Sequence, residues 1–201
     1  MARRENWSVA ELIVTKGIRA GKLLKLHKVL KMFVVTPAAK IANRYVTSVV
    51  MGNKTYTLAN TAPGDGLAHS VTAAETAVDV EDTNGILTIT GKDVDGKVIS
   101  EVLTPDAGVT VESTKCFKEI TSIVGSGWTQ GGTGPDTIVI GFGDKIGLPD
   151  KLPSAEDILL VGFDTALVNA PTVAVDANVL SKNCVTVVGD GTKKLRAIYQ
   201  V

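Results

Sequence analysis

The periodicity of apolar and polar positions changes near residue 45. Before it, helical signals dominate. Ser8 and Glu11 have the spacing of a capping box, and Trp7 and Leu12 flank it as a hydrophobic staple. Gly17 follows Lys16, a stop signal with a cation in the last turn, so the pattern predicts a helix over 9–16. Over 22–33 lysines recur at 22, 25, 28 and 31, a strict spacing of three. Strand alternation would mix Lys with Leu on each face. On a helical wheel the lysines take one half, and Leu23, Leu26, Val29, Leu30 and Phe33 gather on the other, with Leu24 and Met32 as exceptions. The pattern predicts a basic amphipathic helix; the alternative is an extended arm that takes its register from another subunit.

After residue 45 the chain turns to short runs of Val, Thr and Ile separated by Gly, Asp and Asn. Strands are predicted at 46–50, 54–58, 86–90, 98–103, 109–111, 117–124 and 136–141. Asp95-Gly96 between two β-prone runs predicts a hairpin, because such a turn requires positive φ. A glycine-rich loop spans 125–134, and Pro149 and Pro153 mark the clearest internal seam. Further strands are predicted at 158–163, 172–175, 184–188 and 195–201, the last two joined as a hairpin through Gly189, Asp190 and Gly191. Strands at this spacing predict a mainly β protein: an antiparallel β-sandwich or barrel body with a basic N-terminal arm containing short helical segments. The arm is assigned to 1–45 and the β-rich body to 46–150. Residues 151–201 then complete the body or form a small lobe.

Charge sharpens this division. The 201 residues carry 21 basic and 21 acidic side chains, but residues 1–60 hold eleven basic against two acidic, a net of +9, and the remainder −9. The longest apolar run, around 158–161, is far shorter than the ~20 residues of a membrane span. Glu5 and Glu11 interrupt what would be the apolar core of a signal peptide. Cys116 and Cys184 fall at strand positions without a Cys-x-x-Cys spacing, which fits two reduced, buried thiols.

Chemical motifs are sparse. His27 and His69 are the only histidines, and neither accompanies a nucleophile elbow or a zinc-ligand spacing. Gly141, Gly143 and Gly147 follow a strand, but Ile146 stands where a dinucleotide fingerprint needs glycine and Pro149 forbids the following helix. They are expected to be loop glycines. Asp93 and Asp95 lack the third acid and distal Glu of a calcium loop, so they are expected to form a turn. No cofactor, metal or catalytic residue is expected. The basic segment fits solvated lysines or an acidic protein partner; with Trp7 and Phe33 its only large rings, nucleic acid is not expected.

Three phrases, residues 87–101, 113–122 and 140–149, resemble a group of tailed-bacteriophage virion structural proteins, among them capsid decoration (cement) proteins and neck or tail components. The resemblance covers roughly residues 55–150 and consists of strand and turn phrases. It implies a non-enzymatic, β-rich, oligomeric virion protein on the capsid surface, made in the host cytoplasm, with the major capsid protein or neighbouring virion subunits as partner. A homotrimer follows from the usual site between capsomers. On this expectation the arm orders on a neighbour. Lys22, Lys25, Lys28 and Lys31 face acidic groups or solvent, Leu23, Leu26, Leu30 and Phe33 are buried there, and Trp7 joins them as a partner-binding residue of the arm. A neck or tail-associated subunit is the first rival. A host-surface or carbohydrate-binding module, built around an aromatic platform such as Trp128, is the second, although Trp128 is expected to pack on its own body or a neighbour.

Overall fold

A computed structural model describes residues 28–77, 85–129, 134–168 and 171–201. These form thirteen strands: β1 (Leu30–Val35), β2 (Ile41–Val50), β3 (His69–Thr76), β4 (Ile86–Lys92), β5 (Val98–Leu103), β6 (Thr110–Phe117), β7 (Glu119–Ser126), β8 (Thr137–Gly147), β9 (Ile158–Phe163), β10 (Ala166–Leu167), β11 (Val173–Ala174), β12 (Cys184–Thr186) and β13 (Leu195–Gln200). All strand pairings are antiparallel. Sheet I has the order β1-β13-β9-β10, sheet II the order β11-β12-β8-β3-β6, and sheet III the order β5-β4-β7. The antiparallel sheets include a half-barrel.

The β4–β5 hairpin forms as the sequence predicts. One Asp93 carboxylate oxygen accepts the backbone N–H groups of Asp95 and Lys97, both at 3.0 Å, and Gly96 takes φ +80°. Leu87, Ile89 and Leu103 project inward from the paired strands into a core shared with Ile120, Ile123, Phe117 and Phe142. Glu101 on β5 then accepts the N–H groups of Thr114 and Lys115 on β6 at 2.7 and 2.8 Å. The carboxylate occupies edge donors of β6 and ties sheet III to sheet II.

β8 is the spine. One edge pairs with β3 along most of its length; the other pairs first with β2 and then, from Lys145 onward, with β12. Ile138, Ile140 and Phe142 lie in the first core, whereas Ile146 and the following Leu148 lie in a second one with Val161, Val185, Leu195 and Tyr199. Gly141, Gly143 and Gly147 therefore sit inside this strand rather than in the loop expected of them. Close backbone approach explains Gly141: a Cβ there would lie 1.9 Å from the carbonyl oxygen of Ile41.

The division at residue 45 does not hold. Residues 30–35 are strand β1, paired with β13 from Leu30↔Gln200 to Val35↔Leu195, and not a helix. One face of this strand does mix lysine with apolar residues. Phe33 and Val35 pack into the second core, and Lys31 on the same side ends in an ion pair with Asp150. Satisfying the ammonium locally removes the objection that the sequence pattern raised against a strand. β2 likewise starts at Ile41 and not at 46. Residues 54–58 make only an isolated bridge, Thr55↔Val124.

The hairpin expected at 189–191 is also absent. β12 pairs with β8 in sheet II and β13 with β9 and β1 in sheet I, so the loop carries the chain between sheets. Gly189 is pressed against the carbonyl of Ala38, where a Cβ would meet oxygen at 2.3 Å, and Gly191 N–H donates to Pro37 at 2.9 Å. Within residues 151–201, β11 and β12 extend sheet II, and β9, β10 and β13 join β1 around a second core. Buried Asn183 pins this region, accepting Leu152 N–H at 3.0 Å and donating to the carbonyls of Asp176 and Val179 at 2.8 and 3.0 Å.

Candidate interaction surface

The basic segment meets the acidic body within one chain. Lys28 pairs with Asp157, which also accepts from the Gln200 side chain at 3.1 Å. Lys31 pairs with Asp150, which accepts the Tyr199 hydroxyl at 2.7 Å, and Lys40 lies 3.2 Å from Asp144. Burial pushes the Asp157 carboxyl up, but bonds from Lys28 and Gln200 hold it below its ordinary value. Burial, reinforced by Asp150, pushes the Tyr199 phenol up. Of the residues assigned to partner binding, Leu30, Lys31 and Phe33 therefore lie in sheet I of their own body, and Lys28 just before it pairs with Asp157. Trp7, Lys22, Leu23, Lys25 and Leu26, with the 9–16 helix, lie outside the described residues.

What β1 offers outward is apolar. Its outer residues Leu30, Met32 and Val34 continue across the sheet, since Met32 stands beside Ile198 and Ile198 beside Leu160. Beyond them Leu159, Leu160, Leu167 and Pro171 line a groove of about 260 Å³. Met32 is 67% exposed and Leu167 65%. A solvated antiparallel face normally alternates to polar residues; here Arg196 and Gln200 are the polar members. The outer face of sheet III is uncharged for most of its length, with Ile86, Val98, Val102 and Val124 exposed among Thr88, Thr90 and Ser100. It ends at the Lys92–Glu119 pair, 2.9 Å apart.

The other polar groups organise the fold. His69 is fully buried, with Nδ1 3.2 Å from the Gly143 carbonyl and Nε2 2.8 Å from Asp65. Asp65 also accepts the N–H groups of Ala38 and Leu67 at 2.8 and 3.0 Å, joining the β1–β2 link to the start of β3. Burial raises the Asp65 carboxyl, but His69 and the two amides outweigh it and bring it down to about 2. A depressed carboxyl contributes stability that is present above its unfolded value near 3.8 and lost as pH falls through about 2. Urea denaturation from pH 5 to pH 2 is expected to show a loss in this window that Asp65→Asn reduces, Asp157 and Asp190 keeping the remainder. An unchanged slope in the variant would remove Asp65 from the acid transition.

Trp128 is 6% exposed, its backbone held by Asn53 at 2.9 and 3.0 Å, and it packs into the first core. Its ring is no solvent-facing platform. An open cleft of about 650 Å³ lies beside the β4–β5 turn, where Lys92, Lys118, Asp95 and Glu119 mix both charges. Among the described residues no three His, Cys, Asp or Glu side chains gather as a metal site, and no helix is long and apolar enough to cross a membrane.

Neither protein-family models, nor curated proteins, nor solved structures match this chain. The sequence reading missed Asp150 and Asp157 as receivers of Lys31 and Lys28. The signal available was the run of acids around the proline seam, opposite in charge to the lysine series.

Proposed function

We propose that the protein is a non-enzymatic structural subunit of a tailed-phage virion, a decoration protein that binds the capsid surface as a homo-oligomer, with a trimer favoured. The observation that carries this reading is the outer face of sheet I, whose apolar side chains stay exposed although the cores behind them are complete. Burying such residues against a capsid subunit contributes about 1.5–3 kcal/mol for each one fully covered. The phrases that resemble virion proteins fall on β4–β8, the rigid frame behind these faces. Residues 1–27, six basic against two acidic, lead into β1 at one edge of the same face and favour an acidic neighbour.

Cryo-EM of intact particles tests the reading. Density between capsomers over the whole shell is expected, with sheet I or the segment before it at the contact. Density confined to the portal vertex would replace the decoration role by a neck or tail-associated one. The carbohydrate reading loses its aromatic platform with the burial of Trp128.

A further inference from the structure

Cys116 and Cys184 stand 68 positions apart in the sequence, on β6 and β12, and in sheet II they are separated by β8 and β3. The curl of the sheet nevertheless brings them together. Both are buried, in one cluster with Ala68 edged by Val94. Gly147 creates the room. It stands opposite Cys184 in the β8–β12 ladder, and a Cβ on it would lie 3.1 Å from the Cβ atoms of both Cys116 and Ala68. The 3-10 turn Leu180–Lys182, just before Cys184, packs against β6 and holds the two strands in place. The Cys116 thiol donates to the Lys145 carbonyl at 3.8 Å.

We propose that Cys116 and Cys184 are a disulfide site, whose oxidation joins β6 and β12 of sheet II covalently. Lys145 prepares the chemistry. The neighbouring Cys116 thiol draws the Cys184 thiol below its ordinary value against the effect of burial, and the Lys145 ammonium helps; Cys116 is pushed up. A low-molecular-weight disulfide serves as oxidant. The Cys184 thiolate attacks one of its sulfurs, forming a mixed disulfide and releasing a small thiolate. That thiolate takes the proton of Cys116, whose sulfur attacks Cys184 Sγ and expels the second small thiolate, which is protonated from the buffer. Two protein thiols and one small disulfide become one protein disulfide and two small thiols. Access is supplied by local opening, since β12 has three residues and its outer neighbour β11 two.

The proposal goes beyond the virion reading and does not depend on it. The full chain is equilibrated in glutathione buffers graded from reducing to oxidising, both native and during refolding from urea. Thiols are then counted in denaturant, and the protein is mapped by mass spectrometry without reduction. Two thiols are expected to fall to none, with peptides containing Cys116 and Cys184 linked within one chain. Closing a loop of this length is expected to raise Tm by roughly 5–15 °C, reversibly with dithiothreitol. Cys116→Ala and Cys184→Ala, each with one thiol, should show no such rise; if either fails to fold, the peptide map of the unaltered chain decides alone. Two thiols persisting in both arms, separate glutathione adducts on each cysteine, or links only between chains would each overturn the assignment.

Discussion

Gly141→Ala is expected to destabilise the protein by about 3 kcal/mol or more, far above an ordinary glycine substitution in a strand. The added methyl would lie 1.9 Å from the Ile41 carbonyl oxygen and 2.6 Å from that of Ala42, both rigid backbone atoms. Flexible side chains could swing aside; these carbonyls cannot without unpicking the β2–β8 ladder. That ladder is already irregular here, running from Ile41↔Phe142 to Val46↔Ile140, so residues 42–45 stand against Gly141 alone. The bulge turns Tyr45 fully into the first core. Alanine would force β2 outward and withdraw Tyr45 and Val46 with it. Denaturant unfolding measures the loss, and hydrogen exchange should show it first at β2. An unfolding free energy within about 0.5 kcal/mol of the unaltered protein's would mean that β2 does not cross β8 this closely. Gly52→Ala is a fair control, since neither it nor Gly141 has positive φ and no atom lies within 4 Å of its added Cβ.

The β body was legible because its signals are local. Alternation gives β4 and β5, Asp95-Gly96 gives their turn, and the strand-rich composition gives the class. The failures share one cause, which is that their determinants are distant in sequence. Residues 30–35 carry a helical-looking lysine period, yet their partners Asp150, Tyr199 and Ala197 lie more than a hundred positions away. No window over the segment contains the acid that makes Lys31 acceptable beside Phe33. The 189–191 turn has hairpin chemistry, but Gly189 is glycine because Ala38 lies against it, not because its flanking strands pair. The charge split of the chain was legible as a fact, but not where its two halves meet. For Lys28, Lys31 and Lys40 it is internal complementarity. The outer face of sheet I escaped the reading because its residues come from four separate stretches, and their adjacency exists only in the register.

Two truncations separate the segment before β1 from the fold itself. Removing residues 1–27 leaves all thirteen strands and both cores in the chain, and the remaining protein is expected to unfold cooperatively with a midpoint near that of the full protein. Removing residues 1–40 is expected to cost about 5 kcal/mol or more, a large share of the 5–15 kcal/mol typical of a domain. The deletion takes away β1 and opens the β13 edge. It uncovers the second core where Phe33 and Val35 packed, each contributing on the order of 1–2 kcal/mol when partly buried. Asp157 would be left without Lys28 in a buried position, and a buried charge that loses its partner is costly. Asp65 would lose the Ala38 amide, and Gly191 its bond to Pro37, so the damage reaches the β2–β3 link and the crossing between sheets. Amide exchange in β13 and β9 is expected to accelerate sharply in the longer deletion alone. Equal stability of the two truncated chains would show that residues 28–40 contribute nothing to the fold and would return them to the arm. Loss of particle association with the shorter deletion, at unchanged stability, would assign the virion contact to residues 1–27 rather than to the face of sheet I.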